Sequence, residues 1–403
     1  MSIILINVGK KCGGVKMILN NKVLAKFSYT LAIFVFVLKQ SEFVKVTEFF
    51  SVGVSCLYLI ALLVALLSLC INSRIGKKEI IIESFLFVIL GYNIVANSAD
   101  IELLIIAYYI FVCRKLEIGD VLKSYFTGSA LAWILVLFCW KIGILPDIAR
   151  KDRSYLGFFY TTFAPNIFLS IVLSFVALKG YYLKLYHLAI IIIINQWLYI
   201  ETKTKAVYFT IWLLLLLIFV VKILEKFNLN FYDNNKIKFI IKYSGIIFPT
   251  FTIVILKMYC DYSNTMFWRK VDILLSYRLS LSEIAFSKYC VTLLGQIVNW
   301  ETWTSETTTA TSYLYVDSSY LQIILQYGVL LLIIVSLAMV LVSCHIANRK
   351  NMYIGIAVFL FLLHCVTDPQ LLSFRYNPFL IMLLFSIKSL TKQSFKGKYR
   401  EMV

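Results

Sequence analysis

Residues 319–344 read SYLQIILQYGVLLLIIVSLAMVLVSC, a run without a single aspartate, glutamate, lysine or arginine. A transmembrane helix needs about 20 mostly apolar residues, so this run crosses a bilayer with length to spare. Comparable runs recur along the chain and predict twelve spans: 23–39, 47–71, 80–97, 101–113, 122–145, 163–179, 183–200, 204–222, 237–257, 319–344, 352–367 and 371–388. The fourth is short, and the eleventh to a lesser degree, so the reading is ten to twelve spans. The 403 residues are 61% hydrophobic and only 15% charged, with a mean hydropathy of +0.85. Soluble domains are about 45–50% apolar. The expected fold class is therefore all-α: a polytopic membrane protein of about 12 transmembrane helices, with 1–403 forming a single integral membrane domain.

The net charge of +18 would suit a nucleic-acid partner if a soluble domain carried it. No such domain is legible, and cytoplasmic loops facing anionic headgroups account for the charge. Of nine cysteines, Cys56, Cys70, Cys113, Cys139, Cys344 and Cys365 lie in apolar runs and read as small hydrophobes, with no CxxC spacing. Cys260 and Cys290 share one loop, and whether they pair is left open. Residues 1–22 are basic but carry no A-x-A-like cleavage site, so no removable signal peptide is expected.

Orientation follows from the placement of lysine and arginine. With the N-terminus in the cytoplasm, inner segments carry 23 of the 39 cations and outer segments 14, while Lys26 and Lys242 lie within spans. Both termini are then cytoplasmic. Two outer segments stand out, an arginine-containing loop at 146–162 and a long loop at 258–318. The chain has nine arginines against thirty lysines, yet five of the nine (Arg150, Arg153, Arg269, Arg278 and Arg375) fall among the 14 outer cations. Arginine offers a planar fork for phosphate or carboxylate, so the outer face is expected to hold a multiply charged anion. The plainer alternative is a scatter of snorkelling arginines.

In the long loop, Val271, Ile273, Leu274, Leu279, Leu281, Ile284 and Ala285 recur at helical spacing and predict one or two interfacial amphipathic helices. Ser280 or Ser282 is the expected cap of the second, and Arg278 would share an anion site with its free amides. The stretch ETWTSETTTATSY, 301–313, has no apolar pattern to order it. Asp317 stands at the mouth of the 319–344 run, where an ionisable group is either functional or a helix cap. Thr202, Lys203 and Lys205 follow the seventh span beside the arginine loop. His364 and Asp368 are four apart, so Asp368 is either a base or a charge closing a helix before Pro369. No nucleotide-loop, serine-hydrolase or zinc motif is present, and the outer carboxylates are dispersed, so neither cofactor nor metal is expected.

Four stretches taken together resemble the outer-loop signatures of Wzy-type polysaccharide polymerases, capsule and exopolysaccharide enzymes of Gram-positive bacteria above all. They are RSYLGFFYTTFAPN, YIETKTKAVYF, YRLSLSEIAFSKYCVTLLGQIVNW with YVDSSYLQIILQYG, and DPQLLSFRYNPFL, covering the chain from about 150 onward. The resemblance implies a GT-C-like membrane glycosyltransferase of the O-antigen polymerase and ligase type. It would join oligosaccharide repeat units carried on undecaprenyl pyrophosphate at the outer face of the cytoplasmic membrane. Flippase and chain-length regulator proteins of the same pathway would be its partners. Arg153, Leu156, Gly157, Phe158, Pro165, Asn166, Thr202, Arg278, Gly295, Gln296, Asp317, Tyr320, Asn377 and Pro378 match the family pattern. Ala164 stands where that family usually has histidine, Lys205 where it has arginine, and Tyr277 where it commonly has glycine.

On both readings Arg278, Arg153, Asp317 and Asp368 are the catalytic candidates. Lys205, Thr202, Asn166, Gln296, Arg150, Tyr320 and Asn377 are the candidates for binding pyrophosphate or glycan. A flippase for the same lipid-linked sugars is the main alternative and would carry internal repeats and mid-span charges, which are not evident. An O-antigen ligase is the second, and such ligases often carry a histidine in the large loop, where 258–318 has none.

Overall fold

The computed structural model describes residues 21–71, 76–147, 149–150, 152–229, 231–302 and 313–391. Their helices are α1 (Asn21–Leu38), α2 (Phe43–Val46), α3 (Glu48–Ile71), α4 (Lys77–Asn97), α5 (Glu102–Val112), α6 (Ile118–Lys141), α7 (Phe163–Lys179), α8 (Leu185–Thr202), α9 (Lys205–Lys226), α10 (Asn235–Tyr262), α11 (Met266–Leu274), α12 (Arg278–Lys288), α13 (Ser319–Asn348), α14 (Met352–His364) and α15 (Leu380–Thr391). A two-residue hairpin, β1 (Ala149–Arg150) with β2 (Arg153–Ser154), is their only named sheet. Nine of these helices are long and apolar enough to cross a membrane: α1, α3, α4, α6, α7, α8, α9, α10 and α13. The chain is an all-helical polytopic membrane protein.

Burial sorts the long helices into two shells. In α7, 78% of the most apolar stretch is buried, and in α13 61%, against 22% in each of α3, α4 and α8. The inner helices α1, α6, α7, α13 and α14 share one hydrophobic core. The outer ones present Phe49, Leu63, Val88, Ile193, Leu216 and Phe219 outward, a surface suited to hydrocarbon and not to water. Small residues set the close approaches. A side chain on Gly128 of α6 would run into Thr30 O of α1, and one on Gly245 of α10 would lie 2.8 Å from Ser336 O of α13.

Three of the twelve expected spans are too short to qualify. The run 101–113 yields α5 with eleven residues, and 352–367 yields α14 with thirteen. The run 371–388 becomes helical only at Leu380. Its first part is an irregular segment whose backbone is satisfied by neighbours, as non-helical chain at membrane depth requires. Phe374 N donates to Glu102 Oε1 at 2.6 Å, Tyr125 Oη to Arg375 O at 2.5 Å, Ser170 Oγ to Tyr376 O at 3.0 Å and Asn377 Nδ2 to Leu371 O at 2.7 Å.

The helices return the chain to two ends. One, the loop end, gathers the described residues 142–147, 152–162, 263–302, 313–318 and 365–379; Glu42 N donates to Gly157 O and Asn97 Nδ2 to Leu294 O across it. At the other end Lys350 pairs with Asp233 at 2.9 Å and Lys388 with Glu79 at 3.2 Å.

Candidate active site at the loop end

The long loop opens with the two expected amphipathic helices, α11 and α12, linked by a tight turn in which Ser276 and Tyr277 take left-handed backbone angles, φ 59° and 63°. The cap of α12 differs from expectation. Asp272 Oδ1 accepts from Leu279 N at 2.9 Å and Ser280 N at 3.2 Å. Ser280 Oγ donates back to Tyr277 O and Ser282 Oγ to Arg278 O, so neither serine is the cap and those first amides are not free for an anion. The bilateral hold of Asp272, which also accepts from Tyr259 Oη at 3.3 Å, fixes the helix to the end of α10.

The Arg278 guanidinium bridges two distant segments. Its Nε lies 3.3 Å from Asp317 Oδ2, and its Nη1 donates to Thr367 O. Arg278 and Asp317 are each about a quarter exposed, at 25% and 28% of their side chains. Asp317 therefore pairs with arginine and does not cap α13. Behind it lies Asp368, buried at 8% exposure. Asn166 Nδ2 donates to both its oxygens at 3.4 and 3.3 Å, Gln370 Nε2 to Oδ1 at 3.0 Å, and His364 Nε2 stands 3.8 Å from Oδ2. His364 Nε2 also meets Asn166 Oδ1 at 3.3 Å, and its Nδ1 meets Thr210 Oγ1 at 3.3 Å. The turn after α14 is held by Ser319, whose Oγ donates to Asp368 O at 2.6 Å and accepts from Leu371 N at 3.0 Å.

These surroundings set the charge states. Burial pushes the Asp317 carboxyl up to about 6; Arg278 opposes that rise and Asp368 adds to it. Burial also pushes Asp368 up, against the pull of Arg278, Gln370 and Asn166. Tyr313 and Tyr315 stand by the pair, Tyr313 near Tyr160 as well, which brings that part of the 152–162 segment to the same rim. A quarter-exposed carboxylate with its pKa raised to about 6 beside a guanidinium can take a proton from a hydroxyl while the cation holds an anionic group.

The other candidates divide. Asn166 belongs to this cluster, as the donor that orients Asp368. Arg153 is held elsewhere: its Nε donates to Thr202 O at 2.7 Å, within a loop braced by Ser154 Oγ to Asp147 Oδ1 at 2.7 Å. Lys205 is exposed at the start of α9, one turn from that contact. Arg150 is placed by its backbone pairing with Arg153 in the hairpin. In Thr202, Gln296, Tyr320 and Asn377 the polar groups also meet partners within the fold. Thr202 Oγ1 donates to Leu198 O at 2.7 Å, and Tyr320 Oη to Leu362 O at 2.8 Å. Gln296 Nε2 donates to Cys290 O, and its backbone N to Gln326 O at 3.1 Å. Asn377 Oδ1 accepts from Phe379 N and Leu380 N. Ala164 is buried where its carbonyl accepts from Trp133 Nε1 at 2.9 Å. The Thr-rich segment lies mostly outside the described residues, which leave off at 302 and resume at 313. Cys260 and Cys290 are free and exposed.

Three contributors had not been singled out: Thr367, Gln370 and Glu102. Glu102 meets Arg375 in an ion pair, with Ser373 Oγ donating to Oε1 at 3.1 Å. A carboxylate opening an apolar run at 102 was the available signal; its partner, 273 residues away, was not legible. No group of three or more metal-ligating side chains occurs among the described residues. No family model, no curated protein and no solved structure matches this chain.

Proposed function

We propose that the chain is a membrane glycosyltransferase that polymerises oligosaccharide repeat units carried on undecaprenyl pyrophosphate. In this reading the loop end faces the outside of the cytoplasmic membrane and both termini face the cytoplasm. The observation that carries it is the Arg278 bridge: one guanidinium, partly open to solvent, held between Asp317 and Thr367 at the end of a bundle built almost wholly of apolar helices. The four-stretch resemblance to Wzy-type polymerases points the same way.

The donor lipid pyrophosphate is an activated leaving group, so the protein's task is positioning and charge neutralisation. Arg278 would neutralise charge on the departing pyrophosphate. Asp317, about a quarter exposed, is the favoured general base for the attacking sugar hydroxyl. Asp368, its oxygens engaged by Asn166 and Gln370, is a positioning residue that fixes the turn carrying Thr367. Arg153 and Lys205, on the rim beside α8 and α9, would steer the second pyrophosphate.

Deleting the protein and resolving the surface glycan by size tests the reading. Loss of long chains with single repeat units retained supports a polymerase; disappearance of the units themselves points to a flippase. Arg278→Ala should reproduce the loss at unchanged protein level.

A further inference from the structure

The end of the bundle opposite the loop end holds a basic cleft with no role in the proposed reaction. Arg114 follows α5 directly and is 2% exposed, the largest fully buried side chain among the described residues. Its guanidinium lies over the Phe111 ring, 4.1 Å from the centroid, and Nη1 donates to Phe111 O at 2.7 Å. Nε stands 3.5 Å from Glu79 Oε2, an ion-pair distance without a hydrogen bond, and Nη2 meets no acceptor. Glu79 is itself shared with Lys388 at 3.2 Å. A buried charged donor left without an acceptor costs about 1–3 kcal/mol or more, which calls for an acceptor from outside the fold.

The same guanidinium lines a cleft between the starts and ends of three helices. Asn21, Lys22 and Ala25 of α1, Ser68 of α3, and Val112, Lys115 and Leu116 around the end of α5 form it. Ser68 Oγ donates to Asn21 O at 3.2 Å and closes one wall. The cleft holds about 10 Å³ of free space, enough for a water-sized atom. Three cations, Lys22, Arg114 and Lys115, are on the lining, and the carboxylates of Glu79 and Glu83 stand behind Arg114. Such basic pockets between helices at a membrane surface suit phosphorylated headgroups, and the arginine fork suits a phosphate oxygen.

We propose that this cleft binds a phosphate oxyanion, with its oxygens drawn to the Arg114 guanidinium and to Lys22 and Lys115 on the lining. The phosphate belongs to an anionic phospholipid of the leaflet at this end; inorganic phosphate offers the same chemistry from solution.

The test is native mass spectrometry of the full chain in nanodiscs of phosphatidylglycerol or of phosphatidylcholine, with and without added inorganic phosphate. The expected result is retained phosphatidylglycerol that resists added phosphate. Occupancy should fall about fivefold for each basic residue removed, in Arg114→Gln and in the Lys22→Gln, Lys115→Gln double variant, the effect of ~1 kcal/mol per charge. The double variant leaves Arg114 in place and keeps the test open should Arg114→Gln fail to fold. Displacement of the lipid by inorganic phosphate with the same dependence on Arg114 would keep the oxyanion site and overturn the lipid as its source. Equal retention of both lipids by wild type and variants, or a cleft filled by water alone, would overturn the site.

Discussion

Asp317 and Asp368 are two carboxylates on one arginine, with different work set by different exposure. Asp317 keeps 28% of its side chain exposed, while Asp368 is enclosed by Asn166, Gln370 and His364. If Asp317 is the base, its active form is the carboxylate, and burial has pushed its pKa up to about 6. The transfer rate should therefore climb as pH rises through about 6 and level off above it. Asp317→Asn should remove that ascending limb, measured as chain elongation against pH. The stability linkage has the opposite sign: the folded state holds this proton above the ordinary carboxylate range, so the contribution is present in acid and lost as pH rises through about 6. Asn166→Ala should act differently, leaving Asp368 short of a donor and costing about 1–3 kcal/mol, read as a lower thermal midpoint in detergent. Arg278 and Asp317 were legible because a charge beside an apolar run needs a reason. The internal hydrogen bonds of Thr202, Gln296, Tyr320 and Asn377 were not. A polar group in a membrane protein closes a backbone gap as readily as it grips a ligand, and only the observed acceptors distinguish the two.

At the scale of elements, the irregular segment 365–379 carries the site and is the least secured by helix bonds of its own. Glu102 is its anchor, accepting from Phe374 N at 2.6 Å and pairing with Arg375. Removing one partner of a buried pair costs about 3–5 kcal/mol, because the other charge is left uncompensated. Glu102→Ala should thus lower the thermal midpoint and abolish elongation together, whereas Arg278→Ala should abolish elongation alone. A second brace joins 290–297 to α13. Gly295 and Gly328, at φ 90° and 87°, lie back to back where α13 widens into a π-turn over Ile323–Tyr327. A side chain on Gly328 would lie 2.7 Å from Leu293 C. Gly328→Ala should therefore destabilise the fold by at least ~1 kcal/mol, with the overlap adding to the cost of positive φ. The nine long helices were readable from apolar run length alone. The interrupted twelfth run was not, because run length does not report that Asn377 and a distant Glu102 take over the backbone's hydrogen bonds.

Across the described residues, an inner group of helices is enclosed by outer ones with many exposed apolar residues, and the ion pairs gather at the two ends. The orientation proposed from the lysine and arginine asymmetry has the loop end outside. With the native cysteines replaced by serine, Ser287→Cys and Lys350→Cys, on opposite ends, should be labelled by an impermeant maleimide in intact cells only at the first. The direct trial of the central claim is reconstitution: purified protein in liposomes, given an undecaprenyl-pyrophosphate-linked repeat unit and no other enzyme or metal. The account predicts a ladder of lengthening chains, reduced about 10²–10³-fold in rate by Arg278→Ala. A ladder that persists undiminished in Arg278→Ala, or no ladder from a folded wild type, would contradict it.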